Sequence, residues 1–128
     1  MDSKYNFKFE NLTVYVKAME FGEVVNTLAK KFPKEERYEL SSQFKKAADA
    51  IALHIAEGSS GTDPHFYNHL GNALQSVHEC VSCSSKARLR KYITFVEDEE
   101  NRSMLTELSK MITTFRNRIS ERIKKNKE

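Results

Sequence analysis

KEERYELSSQFKKAADAIALHIAEG, residues 34–58, reads as one long amphipathic helix. Leu40, Phe44, Ala47, Ala48, Ile51 and Ile55 recur at helical spacing and form one apolar face. Pro33 precedes it, at a position where a first-turn residue needs no amide donor. Gly58 closes it, where glycine takes a left-handed C-terminal conformation without strain. The predicted helix therefore spans 34–57. It has a start, a buried face and an end, and it carries no catalytic constellation.

Outward from this segment the same periodicity recurs three times. A helix over 11–31 has the seam Val14, Ala18, Phe21, Val25, Leu28 and Phe32, spaced by fours and threes. A helix over 64–91 starts at Asp63 as N-cap and Pro64 as first residue. Its seam is Phe66, Leu70, Ala73, Val77, Cys80, Ser84 and Ala87, mostly small, so a neighbour can approach closely. A helix over 95–124 begins at Thr94, with Glu97 three residues later completing a capping box. Its face is Leu105, Leu108, Ile112, Phe115, Ile119 and Ile123, and the basic tail beyond it is expected to fray. Short connections make consecutive helices antiparallel neighbours. The expected fold is all-α, an up-down-up-down antiparallel four-helix bundle forming one domain over 1–128. A helix of about 25 residues would span about 37 Å.

Composition bounds the function. The chain is 39% hydrophobic and 30% charged, which suits a soluble globular domain and not a disordered one. Net charge is +3, a mild bias that permits nucleic-acid contact without requiring it. No apolar leader opens the chain, and the longest nearly apolar run, 47–56, is broken by Asp49 and His54. A cytoplasmic location without membrane association is expected. Cys80 and Cys83, three apart on one helix, are poorly placed for a disulfide and fit a reducing compartment.

Helix 1 carries a second apolar strip. At about 100° per residue, Leu12, Tyr15, Val16 and Met19 fall nearly opposite the seam. Something must cover them: a fold-back of Tyr5, Phe7 and Phe9, or another subunit. These four residues are the expected oligomer interface.

The order Phe9-Glu-Asn-Leu-x-Val14-Tyr15-x-Lys17-Ala18, Phe32-Pro33-x-Glu35-x-x-x-x-Leu40, Gln43-x-Lys45-Lys46-Ala47-Ala48-x-x-Ile51 and Ile55-Ala-Glu-Gly58 resembles the bacterial four-helix-bundle family of 23S rRNA intervening-sequence proteins. The resemblance continues through Phe66, Leu70, Ala73, Ser76 and Glu79 and thins after Tyr92. It is also similar to the accessory variability protein of diversity-generating retroelements, a basic ring contacting nucleic acid and a reverse transcriptase. What the resemblance implies is a homo-oligomer, a pentameric ring among known members. Lys45 and Lys46 stand where arginines are usual, and a lysine lacks the guanidinium fork that binds phosphate bidentately. His54 stands where asparagine is frequent.

Six cations are the candidate nucleic-acid contacts: Lys45, Lys46, Arg88, Arg90, Arg118 and Arg122. The blander reading is a solvated exterior with cations placed at helix C-termini. The run Glu97-Asp-Glu-Glu100 reads as first-turn carboxylates that stabilise a helix start. His65 and His69, four apart, could offer two metal ligands, but the glutamate of a zincin motif is missing between them. Cys80-x-x-Cys83 lies roughly 22 Å further along that helix and mid-helix, where no helix N-terminus lowers a thiol pKa. Ser82, Ser84 and Ser85 have no oriented base, and Gly58-Ser-Ser-Gly61 lacks the lysine of a phosphate loop. No catalytic residue, metal site or cofactor is expected. The expected function is a non-enzymatic homo-oligomeric binding module associating with RNA or a ribonucleoprotein through basic surfaces. The alternative is a protein-interaction scaffold with no nucleic-acid role.

Ile51 should be a central core residue of the second helix. Ile51→Asp should bury an unpaired charge and unfold the chain, read as loss of the cooperative thermal transition. An unchanged melting temperature would place the apolar face elsewhere.

Overall fold

The computed structural model describes residues 3–127; Met1, Asp2 and Glu128 of the expected 1–128 domain lie outside it. A short 3-10 turn, Lys8–Asn11, leads into α1, Thr13–Ala29. A second 3-10 turn, Lys34–Glu36, precedes α2, Leu40–Ser59. α3 spans Asp63–Leu89 and α4 spans Phe95–Lys127. The described residues form four helices and no strand, consistent with the expected bundle. The seam residues of all four segments meet in one core, with Phe21, Phe44, Ile51, Ile55, Leu70, Leu105, Leu108, Ile112 and Ile119 fully enclosed. No helix among the described residues is long and apolar enough to cross a membrane.

The helix boundaries differ from the sequence expectation at several places: α1 is shorter at both ends than 11–31, α3 ends two residues before 91, and α4 continues through Lys127, where the basic tail was expected to fray. Three further differences have a local reason. The second helix starts at Leu40, six residues after the expected start. Glu36 turns inward, and its carboxylate accepts hydrogen bonds from Arg90 Nη1 at 2.7 Å and Tyr92 Oη at 2.8 Å. That inward turn leaves 34–36 as a 3-10 turn and 37–39 as a non-helical step. At the other end Gly58 lies inside α2, and no glycine has a positive φ. Its role is proximity. A Cβ at Gly58 would lie 2.7 Å from His69 Cβ and 3.3 Å from Phe66 Cα, so its bareness lets α2 and α3 close together. α3 is capped one residue earlier than expected, by Thr62, whose Oγ1 accepts from the His65 amide at 3.3 Å.

The left-handed residue that ends a helix here is Lys91, with φ 64°. Tyr92 N–H donates to Ala87 O at 2.8 Å and Lys91 N–H to Arg88 O at 2.9 Å, the paired bonds of a Schellman motif. Tyr92 then packs on Phe32, ring centroids 5.3 Å apart, closing that end of the core. The Thr94–Glu97 capping box forms as expected: Thr94 N–H donates to Glu97 Oε1 at 2.9 Å and Glu97 N–H to Thr94 Oγ1 at 3.0 Å. Glu97 also pairs with Lys31.

Asp98 lies in the first turn of α4 as expected, but it faces inward. It is 0% exposed, between α3 and α4. Its Oδ1 accepts from Ser84 Oγ at 2.7 Å and its Oδ2 from Arg102 Nε at 3.1 Å, with Arg88 Nη1 at 3.5 Å. Asn101 Nδ2 completes the cluster on Ser84 Oγ at 3.0 Å. Burial pushes the Asp98 pKa up, but the Ser84 hydroxyl, Arg102 and Arg88 outweigh it and hold the carboxyl below its ordinary value. Glu36 is also lowered, chiefly by the Tyr92 hydroxyl.

Both carboxyls titrate below their unfolded values, so the stability they contribute is complete above about pH 4 and fades as pH falls through the folded values. Melting temperature should therefore be level near neutrality and drop on acidification. Asp98→Asn should cost about 2–4 kcal/mol at neutral pH and flatten part of the acid limb. A neutral-pH melting temperature that ignores this substitution would contradict the network.

Candidate functional site

The six cations expected to contact nucleic acid do not form one surface. Arg122 donates to Asp63 Oδ1 at 2.9 Å, at the start of α3. Arg90 lies just past the end of α3, so the two sites are about 40 Å apart along that helix. Three of the six are held in intramolecular pairs: Arg88 with Asp98, Arg90 with Glu36 and Arg122 with Asp63. Arg88 also stacks 4.6 Å from the Phe95 ring centroid. Arg118 sits beside Lys110 at a groove between α1 and α4. Lys45 and Lys46 are exposed on the outer side of α2.

Lys45 belongs to a different grouping, which the sequence reading missed. The 33–39 break brings Lys34, Arg37 and Tyr38 beside Lys30 of the α1 end and Lys45 of α2. Together they border an open groove of about 640 Å³, floored by Ala29, Phe32 and Pro33. All four cations are exposed, and none is in an ion pair with a described residue. Tyr38 is 86% exposed, with the Arg37 guanidinium 5.8 Å from its ring centroid. Unpaired cations around a groove, with an aromatic face presented to solvent, can neutralise phosphates and stack a base. The spacing Lys30, Lys34, Arg37, Tyr38 was visible in the sequence. Its i, i+4, i+7, i+8 pattern marks one helical face, but the sequence does not show that the 33–39 break sets that face beside Lys45 around a groove.

The second apolar strip of α1 is partly covered. Phe9 packs edge-on against Tyr15 at 5.0 Å between centroids, and Phe7 lies 6.0 Å from Phe9. Leu12 and Tyr15 are thereby half-buried against the core. Val16 and Met19 remain 42% and 48% exposed, and Tyr5 and Phe7 are exposed with them.

The cysteines are packed. Both are free and buried, and burial raises the Cys83 thiol to about 11 and Cys80 further still. Neither is poised as a nucleophile or thiolate ligand.

One cluster joins residues that lie far apart in sequence. His54 and Glu57, one helical turn apart on α2, meet His69 of α3. The two imidazole Nδ1 atoms are 3.0 Å apart, and Glu57 Oε2 is 3.9 Å from His69 Nδ1. His65 stacks edge-on against His69 at 4.4 Å. The expected His65–His69 pair is thus present, but the partner facing His69 is His54. Burial, with the neighbouring His69, lowers the His54 pKa against a smaller opposing effect of Glu57, so its ring is neutral near pH 7.

Comparison with solved structures finds a protein of unknown function from the S23 ribosomal protein family of Bacteroides thetaiotaomicron. The two share 24% identity and superpose with a TM-score of 0.74 over 80% of this chain and 97% of that one, a likeness of fold. Comparison with curated proteins finds no match. The family described as 23S rRNA-intervening sequence protein matches residues 10–114, from the turn before α1 to the middle of α4. With most of the chain inside that match, the protein belongs to the 23S rRNA-intervening sequence protein family.

Proposed function

We propose that this protein is a non-enzymatic binding module that associates with RNA through the groove between the end of α1 and the start of α2. The observation that carries the reading is the set of four unpaired cations, Lys30, Lys34, Arg37 and Lys45, around a groove with Tyr38 exposed at its edge. Phosphate recognition needs cations that are not already neutralised, and four of them border this one groove. The name of the family, tied to 23S rRNA, supports RNA as the class of partner. Phosphate contacts carry no sequence information, so the binding would be general, with a preference for single-stranded segments able to stack on Tyr38.

Titration of structured and single-stranded RNA at low and near-physiological salt tests this. Affinity should fall steeply with salt, and Lys34→Glu with Arg37→Glu should weaken it at least about tenfold. Lys45→Glu with Lys46→Glu should weaken unrelated RNAs about equally. Tyr38→Ala should cost about 1–3 kcal/mol on single strands. Arg122→Glu should change little, because Arg122 is already paired with Asp63. No binding at low salt would leave the protein-interaction scaffold as the function.

The exposed Val16 and Met19 favour a second element of the proposal, assembly into a homo-oligomer through the outer face of α1. Leu12 and Tyr15 would extend the interface beneath the aromatic arm. The ring of five is what the family resemblance implies. A ring would repeat the groove around one axis and turn a weak site into a strong one. Val16→Glu combined with Met19→Lys should lower the mass by light scattering while far-UV helicity is kept. A wild-type protein already monomeric at micromolar concentration would remove this element.

A further inference from the structure

We propose that His54, Glu57 and His69 form a binding site for a divalent transition metal of borderline softness, such as Zn²⁺, Co²⁺ or Ni²⁺. The site stands apart from the RNA groove and does not depend on it.

The helix crossing creates the cluster. Bare Gly58 lets α2 and α3 approach until His69 faces the last turns of α2. On that side of α2, His54 and Glu57 are three residues apart and project together. One ligand atom from each of the three residues lies within 4.8 Å of the other two. The His54 and His69 Nδ1 atoms are 3.0 Å apart. Two imidazole nitrogens on a tetrahedral metal, each about 2.0–2.1 Å from it, lie about 3.3 Å apart. The rings therefore need to open by only a few tenths of an ångström. Without metal, one Nδ1–H donates to the other Nδ1; metal binding shifts that ring to its Nε2–H tautomer, with no net loss of a proton, and uses both Nδ1 lone pairs.

Glu57 supplies the third donor. Its Oε2 is 3.9 Å from His69 Nδ1, and its side chain is solvent-exposed and able to swing inward. The edge-on His65 ring fixes the face that His69 presents. Two imidazoles and one carboxylate select borderline transition metals over Mg²⁺ and Ca²⁺, which prefer oxygen alone. Water would hold the fourth position.

The competing reading is a histidine pair joined by one N–H···N hydrogen bond. Untagged, metal-free protein separates the two. Zn²⁺ should bind with one equivalent per chain by calorimetry and raise the melting temperature by at least about 5 °C at saturation, while Mg²⁺ should not. Co²⁺ should give the visible absorption of a tetrahedral nitrogen–oxygen site. His54→Gln and His69→Gln should each weaken Zn²⁺ more than about tenfold, with far-UV spectra confirming that they fold. Glu57→Gln, at an exposed position, should weaken it about tenfold and keeps the test valid should a histidine variant misfold. His78→Gln, exposed and nine residues along α3 from His69, should bind as the wild type does. Absence of a thermal shift and of Co²⁺ bands would overturn the site. So would Zn²⁺ binding that survives both His54→Gln and Glu57→Gln while His65→Gln abolishes it.

Discussion

The carboxylate of Glu36 joins both turns at one end of the bundle. It leaves the α1–α2 connection, reaches inward, and is met by Arg90 and Tyr92 from the α3–α4 connection. A buried carboxylate must be paired, and the pairing fixes two loops against each other. The same inward turn keeps the chain out of α-helical geometry until Leu40. Lys34, Arg37 and Tyr38 are thereby left on the outside, beside Lys30 and Lys45. The groove has this shape because Glu36, one of three glutamates in 34–39, is turned to the interior while Glu35 and Glu39 stay outside. The neutralisation of Arg90 by Glu36 also explains why that arginine is not one of the groove's cations.

The fold was legible because four apolar seams with helical periodicity, joined by short connections, allow few other arrangements. Every seam residue chosen on the first three helices is buried, and on the fourth only Phe115 and Ile123 stay partly open. Helix ends were less legible, since they depend on contacts that periodicity does not encode. Gly58 looked like a stop signal, yet its missing side chain serves a neighbouring helix. Lys91 takes the left-handed position that glycine usually fills, where tertiary contacts around Tyr92 override a strain of about 1 kcal/mol.

The candidate sites were legible only where they run along one helix. The apolar strip on α1 could be placed on a wheel. The six cations could be named, but whether a cation is already paired depends on acids far away in sequence, as Arg122 with Asp63 and Arg90 with Glu36 show. His54 and His69 are fifteen residues apart on opposing helices, and nothing in local spacing sets their rings face to face. The inward turn of Asp98 was illegible for the same reason. A carboxylate in a first turn is ordinarily solvated, and Ser84 with Arg88 across the helix pair draws this one in.

The pattern of helix contacts also bears on how the chain reaches its structure. α2 packs on α3, α3 on α4 and α1 on α2, each with its neighbour in sequence, while α1 and α4 touch sparingly across an open groove. Nearly all of the packing can form as consecutive hairpins, with only short loops to close. Such low contact order places the chain among fast folders, on the microsecond-to-millisecond scale. It also makes α1 the helix most able to detach alone, since its one extensive interface, with α2, is smaller than that of α4 with α3. An excursion of α1 would leave α2, α3 and α4 packed and uncover the core along its seam. Whatever covers the outer face of α1 in a larger assembly would also restrain that excursion, coupling assembly to the integrity of a core it never touches.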